Sequence, residues 1–181
     1  TREYSPNALL RWGEAPGFIR TAFVRAFSYE CQINPQSRII ESEWIKLLSR
    51  WRAYLNICPD CKEETYIEPK DYGKCKVCGQ KRPILWMQID KKEYIPLVAG
   101  QTIYESQLGK EGFFTLVAKI VPAKDSSKVL GIRNLSEMDW CVTHGTQKVT
   151  VPPGKAFKLC ENMSIKFSNI KEVKIRLVSP K

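Results

Sequence analysis

The stretch Cys58-Pro-Asp-Cys61-Lys-Glu-Glu-Thr-Tyr-Ile-Glu-Pro-Lys-Asp-Tyr-Gly-Lys-Cys75-Lys-Val-Cys78 decides how this 181-residue chain is divided. Its four cysteines have the spacing C-x2-C-x13-C-x2-C. Two residues between paired cysteines let a tight turn aim both sulfurs inward, so each pair can grip one side of the same ion. Thiolates in this pattern select tetrahedral Zn(II). Pro59 stiffens the first turn, and Gly79 supplies the positive φ that closes the second. One zinc ion held by Cys58, Cys61, Cys75 and Cys78 is therefore expected. Four protein ligands leave no open coordination position, so the ion's expected role is structural. Paired redox disulfides and an iron–sulfur cluster are the other readings of the same spacing. A module of about 35 residues is too small to fold unaided, so metal removal is expected to unfold residues 57–87. Thr65-Tyr66-Ile67 and Ile84 to Ile89 read as the strands of a zinc ribbon. Cys31, Cys141 and Cys160 read as small buried hydrophobes. His144 reads as a turn residue, since no nucleophile–base pattern accompanies it.

Before the quartet the chain is helical. Phe18, Ile19, Ala22, Phe23, Ala26 and Phe27 recur at helical spacing after Pro16-Gly17. Asn34-Pro35 interrupts the pattern. A longer helix is expected from about Glu41 to Leu55, with an apolar stripe of Ile40, Trp44, Leu47, Leu48, Trp51 and Leu55.

After the quartet the pattern becomes short alternating segments. These are Tyr94–Val98, Thr102–Tyr104, Phe113–Val121, Leu130–Leu135, Trp140–Thr143, Gln147–Val151, Ala156–Leu159, Ser164–Phe167 and Val173–Val178. About nine strands with turn signals between them predict a β-sandwich. Lys155, Lys158, Lys166, Lys174 and Arg176 alternate with apolar residues, which gives one wet face and one buried face. The expected organisation is multidomain α+β: a helical segment over 1–56, a zinc ribbon over 57–92 and an all-β sandwich over 93–181.

Composition narrows the function. The formal net charge is +10, and 43% of residues are hydrophobic, too many for a disordered tail. Charge is spread as +3, +2 and +5 over the three expected parts, with small clusters at Lys74/Lys76, Lys81-Arg82 and Lys91-Lys92. A solvated surface or an acidic protein partner suits that distribution. Nucleic-acid binding through the ribbon and the basic surface is the alternative, although no dense basic run with interleaved aromatics occurs. No apolar run is long enough to span a bilayer, and no membrane association is expected. A cytoplasmic setting, where thiols stay reduced, is expected.

Two segments carry family resemblances. Phe23 to Trp51, with Pro35-Gln36-Ser37-Arg38 and Glu43-Trp44, resembles the last two helices of a protein kinase C-lobe. Kinases pair the arginine of that loop with the glutamate of an Ala-Pro-Glu motif, which is missing here. The Gly-rich loop, His-Arg-Asp and Asp-Phe-Gly motifs are missing as well, so no catalysis is expected of this chain and no catalytic residue is assigned. The chain opens at Thr1 and is expected to be a piece of a longer protein. Gly131-Ile-Arg-Asn-Leu-Ser136, His144-Gly-Thr146 and Leu159 to Phe167 resemble a forkhead-associated (FHA) domain, a sandwich that reads phosphothreonine. Glu161-Asn162-Met163 replaces the usual Gly-Asp turn, and the Gly-Arg and Ser-x-x-His loops are absent. Arg133, Asn134 and Ser136 are the candidate phosphopeptide or partner-contact loop. The order of the three parts resembles the C-terminal regions of bacterial Ser/Thr kinases of a tellurite-resistance-associated signalling triad. That resemblance implies a von Willebrand factor A (vWA) protein as partner, together with a PP2C-type phosphatase.

Overall fold

The computed structural model describes residues 12–71, 73–91, 93–110, 114–123 and 126–178. Phe113, the first residue of the expected Phe113–Val121 strand, and Lys92, the last of the expected ribbon, lie outside them. The chain forms two compact units, one ending at Trp51 and the other starting at Arg52.

In the first unit, helix α1 (Gly17–Ala26) follows Pro16, and α2 (Tyr29–Ile33) is N-capped by Ser28, whose Oγ accepts from the Cys31 amide. Asn34 caps a 3-10 turn over Pro35–Ser37, and α3 spans Glu41–Tyr54. Phe23 of α1 meets Trp44 of α3 edge-on at 5.1 Å, and Arg25 donates both guanidinium arms to Glu43. Arg38 donates instead to the carbonyls of Cys31 and Gln32, where it closes the C-terminal end of α2. The expected stripe on α3 is only partly covered. Ile40 and Leu48 are exposed, because within this unit α1 reaches the helix on the Trp44 side. The helix also stops one residue short of expectation, as Leu55 opens a strand.

The second unit begins with the last turn of α3. Strand β1 (Leu55–Ile57) pairs antiparallel with β2 (Glu64–Tyr66), and the first cysteine pair forms the connection. A 3-10 turn at Pro69–Asp71 leads to the second pair, which an isolated bridge between Lys74 and Lys81 brackets.

Ten strands then build a sandwich. They are β3 (Ile84–Asp90), β4 (Glu93–Leu97), β5 (Thr102–Tyr104), β6 (Leu116–Ala123), β7 (Ser126–Asn134), β8 (Trp140–His144), β9 (Gln147–Val151), β10 (Ala156–Lys158), β11 (Met163–Phe167) and β12 (Lys171–Val178). One sheet has the order β10-β7-β6-β5, the other β4-β3-β12-β11-β8-β9. All neighbours are antiparallel. Alternation turns Ile103, Ala118, Ile120 and Ile132 of the first sheet toward Met87, Val142, Ile165 and Ile175 of the second, in one apolar cluster. Trp140 and Phe167 close its centre edge-to-face at 4.7 Å. The lysines and arginine expected on the wet side are all exposed.

The position of β3 corrects the expected three-part division. Ile84–Asp90 was expected to complete a ribbon ending at residue 92. It lies instead in the six-stranded sheet, paired with β4 on one side and β12 on the other. Its Leu85, Met87 and Ile89 enter the sandwich core, and burial on that side outweighs anything a small ribbon offers. Trp86 points to the other face of the sheet, yet it is 0% exposed. Tyr54 covers it from the end of α3. Gln101 donates to the Ala53 carbonyl, and the Arg52 guanidinium lies 3.9 Å over the Tyr104 ring, so the end of α3 is fastened to the sandwich at three places.

Candidate metal centre

The two cysteine pairs are built alike. In the first, the Cys58 amide donates to the Glu63 carbonyl and the Lys62 amide to the Cys58 carbonyl. In the second, the Cys75 amide donates to Gln80 and the Gly79 amide to Cys75, at the same offsets. Each loop then needs a left-handed residue just after its second cysteine. Gly79 takes that place at φ 74°, as expected, and Lys62 takes it at φ 63°. The Val77 amide points at Cys75 Sγ at 3.4 Å.

The loops face each other, and all four Sγ atoms lie within 4.8 Å of one another. Cys58 and Cys78 are 3.8 Å apart, Cys61 and Cys75 3.9 Å. Both separations are far beyond the roughly 2.05 Å of a disulfide, and all four cysteines are free. A tetrahedron with metal–sulfur bonds of about 2.3 Å has edges of about 3.8 Å. The cluster therefore has the size of a four-thiolate site for one ion.

Protonation supports the same reading. The Cys61 amide, and then the surrounding thiols, lower Cys58 to about 7 against the opposing effect of burial. At Cys78 the Gln80 amide favours the thiolate, but desolvation and the other three sulfurs prevail and push it up to about 11. The Glu63 amide and Cys78 favour the Cys61 thiolate, but desolvation and the Cys58 and Cys75 sulfurs raise it. Four thiolates this close repel one another, and a cation among them would offset that repulsion.

Side chains outside the quartet join the loops. Arg82 pairs with Asp60, which lies between Cys58 and Cys61. Lys76, between Cys75 and Cys78, pairs with Asp71 and lies 5.5 Å over the Tyr66 ring. Gly73 is the tightest point. Its φ is 73°, and a Cβ there would stand 1.9 Å from the Arg82 carbonyl oxygen. Sequence reasoning missed Gly73, Lys62 and the Asp60–Arg82 pair. A glycine two residues before a cysteine knuckle was the available signal for the first.

The candidate contact loop has a different outcome. Asn134 is 0% exposed, and its side-chain amide donates to the carbonyls of Met138 and Val151. Its Oδ1 accepts from both the amide and the hydroxyl of Ser136. Ser136 Oγ in turn accepts from Trp140 Nε1 at 3.0 Å. Both residues are thus spent on shaping the β7–β8 connection, and Asn134 has no surface to offer a ligand. Arg133 is exposed, but it stands within β7 between Lys119 of β6 and Ala156 of β10. The three do not converge on one point as an anion site requires.

Of the other cysteines, Cys31 is buried as expected, while Cys141 and Cys160 are half-buried. His144 is exposed at the end of β8, beside the Gly145 turn. No helix among the described residues is long and apolar enough to cross a membrane. No protein-family model matches this chain, and no curated protein matches it either.

Proposed function

We propose that this chain is a non-catalytic docking region of a bacterial Ser/Thr kinase signalling system, built on one structural Zn(II) and an FHA-like sandwich. The observation that carries the reading is the closed four-sulfur cluster joined directly to a sandwich whose strand β3 continues from it. Zn(II) is the ion proposed, because four thiolates at tetrahedral separations suit it and leave no position for a substrate. The ion replaces a hydrophobic core that the segment over 55–83 is too short to build. A scaffold of this kind holds loops and sheet faces in fixed positions for a partner. The sequence resemblance supplies the partner class, a vWA-domain protein. Docking it beside a kinase raises its effective concentration as a substrate.

Titration calorimetry with the purified vWA-domain protein of the same organism tests the reading, with and without phosphatase treatment of the partner. Binding tighter than about 10 µM is expected, and it should survive dephosphorylation because Asn134 and Ser136 are committed internally. Absence of heat at higher concentrations removes the docking reading. Loss of binding on dephosphorylation shows that phosphothreonine is read by groups other than these two.

A further inference from the structure

We infer that the open half of the outer face of the six-stranded sheet, on β8, β9, β11 and β12, is the surface that receives an acidic protein partner. The inference rests on the docking reading and assigns it a face.

Register defines the surface. Lys148, Thr143, Ser164 and Lys174 oppose one another in sequence across β9, β8, β11 and β12, so their side chains form one row on one face. Three strand intervals put the ends of this row about 14 Å apart. Lys166 lies two residues along β11 from Ser164, on the same face, opposite Glu172. Arg176 follows Lys174 by two and stands next to Trp86. Four cations and one carboxylate therefore share the patch, with short hydroxyl side chains between them. All four cations are exposed. None of them makes an ion pair among the described residues; Arg176 donates only to Asn162. Lys174 has Lys166 and Arg176 within about one screening length, so those potentials add, and Lys148 extends the basic surface at its far end.

The other half of this face shows that it can be covered. There Trp86 is wholly buried under Tyr54. The open half has no large apolar side chain, which excludes an oily groove partner. It also has no aromatic ring on which bases could stack, so carboxylates fit it better than single-stranded nucleic acid.

The test uses fluorescein-labelled poly-L-glutamate, followed by polarisation over a salt series, with a mixed-sequence DNA duplex in parallel. The face variant combines Lys148→Glu, Lys166→Glu and Lys174→Glu. A control with the same change of net charge combines Lys119→Glu, Lys155→Glu and Lys158→Glu, all exposed and outside the face. The face variant should weaken polyglutamate binding at least about tenfold, and the control much less. The corresponding triple Gln variant should give an intermediate loss, and it decides the question if the Glu variant is misfolded by circular dichroism. Equal losses in face and control variants, or no polyglutamate binding at low salt, overturn the inference. Tighter binding of the duplex, lost in the face variant, overturns it in favour of nucleic acid. A vWA protein that binds wild type and face variant equally leaves docking intact and removes this face. Polyglutamate binding at the face without any vWA binding removes the docking reading instead.

Discussion

The Tyr54 ring stands edge-on to the Trp86 indole, with centroids 6.4 Å apart and planes at 80°. One residue ends α3 and the other lies mid-way along β3, so this contact seals the outer face of the sheet at the point where the chain enters the cysteine module. Trp86→Ala should cost about 3–5 kcal/mol. Trp86→Phe should cost far less, because the buried indole Nε1 has no hydrogen-bond partner among the described residues and its removal leaves none of them unsatisfied. Urea unfolding of both variants checks the pair. Equal losses would mean that the indole nitrogen has a partner after all.

Metal removal should act locally. The purified chain is expected to release one zinc per molecule to a colorimetric chelator, and Cys61→Ser should abolish retention. After chelation, amide exchange should accelerate over β1, β2 and the two cysteine loops. The β11–β8 and β6–β7 ladders should stay protected, because their core residues are supplied by the sandwich itself. Global loss of protection would show that the ion holds the whole unit.

Gly73 permits a sharper test. Gly73→Ala forces a Cβ into the Arg82 carbonyl and should cost about 2–4 kcal/mol, read as loss of zinc retention under mild competition. Lys62→Gly removes the left-handed strain in the matching loop and should leave retention unchanged or improved, by up to about 1 kcal/mol.

Asn134 is predicted to matter for stability rather than for binding. Asn134→Ala removes one donor each from the Met138 and Val151 carbonyls and the acceptor of the Ser136 amide and should cost about 2–4 kcal/mol. Asn134→Asp presents a carboxylate to two carbonyl oxygens. The folded state then favours the protonated acid, so the penalty is full above the folded pKa and shrinks as pH falls through it. Thermal unfolding between pH 4 and pH 8, an illustrative range of about the usual accessible span, checks that sign.

How far the sequence could be read depended on whether its pattern named a partner. The strands after Glu93 were legible because alternation specifies the buried face, and the Thr102–Tyr104 and Gln147–Val151 segments lie where expected. The four cysteines were legible because ligand spacing is local. The place of Ile84–Asp90 was not, since a short apolar run says it is a strand but not which strands it joins. Trp86 added to the ambiguity by being apolar on the outward side. Asn134 was misread because a polar residue near a strand end suggests a binding loop, while its two donors are in fact fixed by carbonyls 4 and 17 residues away.

The continuity of β3 with the second cysteine loop has a consequence for how such proteins can be rearranged. A recombination junction at residue 92 would give the recipient a sheet lacking the strand between β4 and β12. The donor half would keep a metal loop whose last strand had lost both neighbours. Cysteine module and sandwich are therefore expected to be inherited and exchanged as one piece, with the nearest tolerable seam upstream of Arg52.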